Sequence, residues 1–159
     1  VCAYQENEKN ALLNLANQLN VASQIDLTGF VDDQILGRLF RSAHLFFFPS
    51  LYEGFGLPVL DAMACGVPIV ASQTSSIPEI CESLAIYCNP TCVEDMANKL
   101  RQAWDNREKN LLPNMEFVRH ARQFHWRKTC SKYLEAFNSV DKNNNRISVK
   151  NNRKYREKW

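Results

Sequence analysis

The residues best suited to chemistry lie in one stretch, Pro49-Ser50-Leu51-Tyr52-Glu53-Gly54-Phe55-Gly56-Leu57-Pro58-Val59-Leu60-Asp61, which runs on to Gly66-Val67-Pro68. Two carboxylates, Glu53 and Asp61, flank a Gly-x-Gly turn. Gly54 and Gly56 allow a sharp turn and a close approach to a ligand with no Cβ in the way. Pro58 near a first turn and Gly66 as a stop predict a helix from Leu57 to Cys65. The free N–H groups at its start, with the helix dipole, suit an anion such as a diphosphate. Helical side chains lean toward the N-terminus, so Asp61 and the loop residue Glu53 are expected to face one cleft. Carboxylates accept from hydroxyls and backbone N–H groups serve phosphate oxygens, so the ligand expected here carries both. Residue types alone also suit a plain turn, with Glu53 a solvated loop charge and Asp61 a surface helix residue.

The elements that must position this stretch follow from periodicity. His44 to Phe48 is nearly all apolar and is closed by Pro49, which predicts a strand buried on both faces. Val67 to Ala71 and Ala85 to Cys88 predict two more strands, and Ile25 to Thr28 a short one ended by Gly29. Helical spacing predicts helices from Gln5 to Asn20, Val93 to Asp105 and Trp126 to Ser139, with a broken one from Arg107 to Gln123 and a turn from Pro78 to Cys81. Asp32 is placed to cap a helix whose expected buried face is Ile35, Leu36, Leu39 and Phe40. Strands alternating with helices predict α/β architecture, a Rossmann-like parallel sheet flanked by helices. A loop at the carboxyl end of a strand is where such sheets bind ligands.

Composition narrows the function classes. The 159 residues are 45% hydrophobic and 23% charged, as in a globular domain. The longest apolar run near Leu45–Phe48 falls far short of the roughly 20 residues a membrane span needs. The six cysteines form no Cys-x-x-Cys pair, so no metal site is expected and the thiols read as free in a reducing compartment. His44, His120 and His125 are expected to pack or lie at the surface, and Trp104 and Trp126 to pack helices against the sheet. Residues 141–159 carry seven basic against two acidic residues and five Asn, which leaves the rest of the chain mildly acidic. Residues 1–140 thus read as one domain and 141–159 as a basic, disordered tail. An acidic body argues against nucleic acid as a partner. The tail admits peripheral contact with anionic lipids, which suits a cytoplasmic location, in part at the inner face of a membrane. The chain has no Gly-x-Gly-x-x-Gly fingerprint and no phosphate-loop Lys, which disfavours other nucleotide-binding folds.

The Pro49–Pro68 stretch resembles the signature of the large retaining family 4 of GT-B glycosyltransferases, in which two carboxylates with seven residues between them are embedded in a Pro-Ser-x-x-Glu-Gly-Phe-Gly-Leu-Pro context. Thr28-Gly29-Phe30-Val31, Ser75-Ser76-Ile77-Pro78-Glu79 and Phe124-His125-Trp126 match further elements of that family in order. The resemblance covers nearly all of residues 24–138 and implies the C-terminal, donor-binding half of a GT-B fold. It implies a nucleotide-diphosphate sugar as donor and no cofactor or metal. Glu53 takes the catalytic position near the reacting face of the sugar. Gly54, Phe55, Gly56 and Leu57 supply backbone contacts to sugar and diphosphate, Asp61 holds the ribose, and Phe30 and Val31 lie near the nucleobase. Two positions depart from the pattern. Asp61 replaces the family's Glu and reaches about 1.5 Å less far, one carbon–carbon bond. Ser75-Ser76 replaces a Gly pair, a variant that resembles mannosyl- and rhamnosyl-type members.

The resemblance also implies an N-terminal acceptor domain and an Arg–Lys pair for the diphosphate. Lys9 is the one basic residue in positions 1–23 and sits in a helix pattern, and Val1 to Tyr4 reads as a remnant of a first strand. The expectation is a domain incomplete for transfer by itself, completed by upstream residues or by a separately encoded N-terminal half. The alternative is a degenerate, non-catalytic nucleotide-sugar-binding or interaction module.

Overall fold

In a computed structural model of the chain, residues 6–106 and 113–143 are described. The chain divides into two compact units, Val1–Ala121 and Arg122–Trp159. The expected first strand at Val1 to Tyr4 and most of the basic tail lie outside the described residues.

The first unit opens with α1, Glu6–Gln18, which buries Ala16. Lys9, on its surface, pairs with Glu6 at 3.6 Å. Asn20 ends the helix at φ 56°. The N–H groups of Asn20 and Val21 return to the carbonyls of Asn17 and Ala16, so the last turn is closed without glycine. Residues Ile25 to Thr28, expected as a strand, alternate between half-buried and exposed but join no ladder among the described residues. Their period-two pattern is satisfied by partial burial alone.

Asp32 caps α2, Asp33–Ser42, as expected: its side chain accepts from Ile35 N at 2.8 Å. The predicted buried face is only partly covered. Phe40 is buried, Leu36 is half-buried, and Ile35 and Leu39 stay exposed.

Three parallel strands follow, β1 (Phe46–Phe48), β2 (Ile69–Ser72) and β3 (Ile86–Cys88), in spatial order β1-β2-β3. The register pairs Phe47 with Val70 and Ala71 with Tyr87. All four residues of the central β2 are buried. β1 is not buried on both faces as its apolar run suggested. Its three phenylalanines are half-buried because among the described strands it lies at the sheet edge. They still serve both faces, as alternation requires. Phe46 meets Phe40 of α2 edge-on at 5.3 Å and stacks on Phe48 at 5.7 Å. Phe47 joins Val70 and Cys88 on the other face, against Met96, Leu100 and Ala103 of α5, Val93–Asp105.

Between β1 and β2 runs α3, Leu57–Ala64, which buries Val59, Ala62 and Met63. Gly66 stops it at φ 71°. There the N–H of Val67 goes to the Ala62 carbonyl at 3.1 Å and Pro68 has no N–H, so β2 starts at Ile69 and not at Val67. A Cβ on Gly66 would lie 2.6 Å from Pro113, because the chain before α6, Met115–Ala121, packs onto this turn. The short α4, Ile77–Cys81, joins β2 to β3. Of the broken helix expected from Arg107 to Gln123, α6 is the described part, and Arg107 to Leu112 lie outside the described residues. Helices thus cover both faces of a parallel sheet, the Rossmann-like arrangement expected.

In the second unit, α7 spans Trp126–Asn143. Trp126 is exposed rather than packed on a sheet, and Trp104 is half-exposed with its ring 6.3 Å from His44.

Candidate functional site

β1 and β2 run parallel, so the loops that leave them, Pro49–Gly56 and Gln73–Ser76, emerge at the same edge of the sheet. Side-chain hydroxyls tie the two together. Ser72 Oγ, at the end of β2, donates to the Ser50 carbonyl at 2.6 Å, and Thr74 Oγ1 lies 3.1 Å from the same oxygen. Ser75 Oγ accepts from Glu53 N at 3.3 Å and donates to the Glu53 carbonyl. Ser76 Oγ lies 2.7 Å from the Phe55 carbonyl and 3.2 Å from that of Glu53. The Glu53 carboxylate is half-buried, and its Oε1 accepts from Ser50 Oγ at 2.9 Å. Backbone and carboxylate of Glu53 are therefore both anchored.

The two glycines of the turn differ. Gly56 takes φ 102° as the N-cap of α3, and a Cβ there would sit 2.8 Å from Ile77 Cδ1. Both the backbone and the packing demand glycine. Gly54 has no such need: its φ is not left-handed, and a Cβ on it meets nothing within 4 Å. What it leaves is open space beside the turn. Phe55 and Leu57 are exposed next to it. Pro58 occupies the first turn of α3, where its missing N–H is no loss.

Asp61 lies on α3 at a groove of about 390 Å³ between α2 and α3, lined by Asp33, Leu36, Gly37, Phe40, Ala64 and Cys65. Partial burial, and then the like charge of Asp33, push its carboxyl above the ordinary 3.8. Its surface remains largely open to solvent. Asp61 is thereby brought to the start of α2, next in sequence to Phe30 and Val31. Phe30 is 90% exposed, so an aromatic face is free to meet a flat ligand. Val31 is half-buried just before the Asp32 cap. Glu53 and Asp61 sit in different surroundings: one is bonded into the serine-clamped loop, the other lines the α2–α3 groove.

No group of three His, Cys, Asp or Glu among the described residues is arranged to hold a metal ion. No described helix is long and apolar enough to cross a membrane. His120 is buried with Nε2 2.7 Å from the Ile80 carbonyl, whereas His44 and His125 lie exposed, His125 Nδ1 accepting from Arg127 N at the start of α7. Sequence reasoning missed the part played by Ser72, Thr74, Ser75 and Ser76. The available signal was a run of hydroxyl residues directly after a buried strand.

Residues 4–116 match the family model described as glycosyl transferases group 1. The chain belongs to that family. It is 31% identical over 134 residues to the O-antigen chain mannosyltransferase B of Escherichia coli, covering 84% of this chain and 35% of that protein. It is 33% identical over 140 residues to the serotype-specific mannosyltransferase WbdA of Escherichia coli, covering 86% of this chain and 17% of that one. The chain thus spans about a third or less of the length of these relatives. Among solved structures, sucrose-phosphate synthase from Thermosynechococcus elongatus superposes with a TM-score of 0.73 at 20% identity, over 84% of this chain and 34% of that one. That likeness supports the fold: a glycosyltransferase-type α/β domain.

Proposed function

We propose that this glycosyltransferase domain binds a nucleoside-diphosphate sugar and presents it for retaining transfer. The observation that carries the proposal is the hydroxyl clamp on Glu53 and Phe55, which holds the turn before α3 in one conformation. Preorganised donors are what a departing diphosphate requires. In the proposed transfer the bond from the anomeric carbon to the diphosphate oxygen breaks, and an acceptor hydroxyl bonds to the same face of that carbon while its proton passes to the departing diphosphate oxygen. The leaving group gains charge, which the N-terminus of α3 and its dipole offset without a metal. Glu53 lies against the sugar at the reacting face, with Gly54, Phe55, Gly56 and Leu57 offering backbone contacts. Asp61 accepts from the ribose hydroxyls in the α2–α3 groove, and Phe30 and Val31 meet the base.

Mannosyltransferases among the relatives support a mannosyl donor. Transfer also needs an acceptor surface, which in this proposal comes from further polypeptide, on the same chain or a separate one. Membrane contact through the basic segment 141–159 and a cytoplasmic location belong to the same proposal.

The test is calorimetric titration of the chain with GDP, UDP and their mannose and glucose conjugates, with and without a chelator. Binding of one nucleotide, insensitive to chelator and weakened by Asp61→Ala, is expected. A folded chain that binds none of them at millimolar concentration refutes the proposal.

A further inference from the structure

We infer that Ser75 and Ser76 are positioning residues that aim the amides of the Glu53–Gly56 turn, an inference that rests on the donor-binding reading above. The carbonyl oxygens of Glu53 and Phe55 both lie within hydrogen-bond reach of one atom, Ser76 Oγ, at 3.2 and 2.7 Å. Ser75 Oγ donates to the same Glu53 carbonyl and accepts from Glu53 N. In a trans peptide the N–H points opposite to the carbonyl of the same plane. With the oxygens of residues 53 and 55 drawn to the serine loop, the N–H groups of Gly54 and Gly56 are turned to the other side. Beside the turn, a Cβ on Gly54 would meet nothing within 4 Å, so the backbone there is open to a ligand. The serines thus convert a flexible Gly-x-Gly turn into two amides with a fixed common direction, suited to the oxygens of a diphosphate.

Ser75 adopts this role at a conformational cost. Its φ of 56° is left-handed, a region that non-glycine residues avoid. Glycine would take the same backbone without strain. The hydroxyl is what glycine lacks, and Ser75 spends it on both polar groups of Glu53. Ser76 is not strained in this way, so the two positions separate conformation from hydrogen bonding.

The decisive variants are Ser75→Gly and the double variant Ser75→Gly/Ser76→Gly in the whole chain. Ser75→Gly removes one hydroxyl and relieves the left-handed strain, and the double variant removes the second hydroxyl as well, so the melting temperature of Ser75→Gly is expected to match or exceed that of the parent. Two readouts are taken. The first is amide hydrogen exchange over residues 50–56, which is expected to speed up about tenfold or more in the double variant. The second is affinity for the nucleoside diphosphate that the parent binds, GDP or UDP, against the matching monophosphate. Diphosphate affinity is expected to fall about tenfold, in line with the loss of one or two hydrogen bonds that hold the turn. Monophosphate affinity should change little, because its contacts lie at the Asp61 groove. Parental exchange in residues 50–56 overturns the inference. So does an equal loss for both nucleotides, or a loss that tracks a fall in melting temperature, because each denotes a merely structural role. A parent chain that binds neither nucleotide refutes the donor reading instead, and the exchange rates then decide the clamp by themselves.

Discussion

Replacing Gly56 by alanine tests the geometry on which the site depends. At φ 102° an L-residue carries a left-handed penalty of about 1–2 kcal/mol. The new Cβ would also lie 2.8 Å from Cδ1 of Ile77, a fully buried side chain, and overpacking of that kind costs about 1–3 kcal/mol. The expected total is about 2–5 kcal/mol, a large share of the stability of a domain this size. The second penalty is separable. Ile77→Val deletes Cδ1 and by itself costs about 0.5–1.5 kcal/mol. With Cδ1 gone, the nearest remaining neighbour in that contact set is Ile80 Cδ1 at 3.4 Å, an ordinary packing distance. Gly56→Ala/Ile77→Val should therefore be about 1 kcal/mol or more better than the sum of the single variants. Urea unfolding of the four proteins measures this directly, with slopes checked for a common unfolding reaction. Additivity within about 0.5 kcal/mol, or an alanine variant as stable as the parent, refutes the claim that Gly56 is held by Ile77 and by its backbone.

Gly54→Ala should change stability by no more than about 0.5 kcal/mol, since its Cβ meets open space, yet it should weaken nucleotide-sugar binding severalfold; thermal melts and calorimetry on one preparation check both. Asp61→Asn should leave the chain as stable as the parent or more so at pH 7. The raised carboxyl pKa means the folded state binds the proton more tightly than the unfolded state. Stability therefore falls as pH rises from about the ordinary 3.8 through the folded value, and the variant's gain should vanish below that window. The difference between the melting curves of parent and variant from pH 3 to 7 would show the opposite slope if Asp61 were a stabilising charge with a lowered pKa, and no slope if it were fully solvated. Cys81 is buried and its thiol is pushed up to about 11, so at pH 8 it should resist iodoacetamide while the exposed Cys130 reacts; mass spectrometry of the peptides reads the order.

Local features were legible in the sequence because their causes are local. Asp32 caps α2 through its own side chain, three residues from the N–H it serves. Pro58 and Gly66 bracket α3 for reasons of covalent geometry that hold wherever the helix packs. The candidate stretch from Glu53 to Asp61 stood out for the same reason, as did the alternation of apolar strands with amphipathic helices. Boundaries were less legible. Val67 looks like strand by residue type, but the closing turn of α3 takes its N–H, and β2 begins two residues later.

By itself, then, the sequence determined the family and the α/β class, and it singled out the short stretch proposed to bind a phosphorylated, hydroxyl-rich ligand. Tertiary structure alone decided what holds that stretch in place. Ser75 meets Glu53 across 22 positions of chain, and Asp61 meets Asp33 across two helices. Neither pairing has a period or a spacing that marks it. Gly54 and Gly56 likewise read as equivalent in the sequence, and only the fold, through the left-handed φ of Gly56 and through Ile77 delivered by the helix after β2, makes one of them indispensable. Propensity and capping act within a few residues and can be read along the chain, whereas clamps and clashes depend on which loops the parallel sheet brings to one edge.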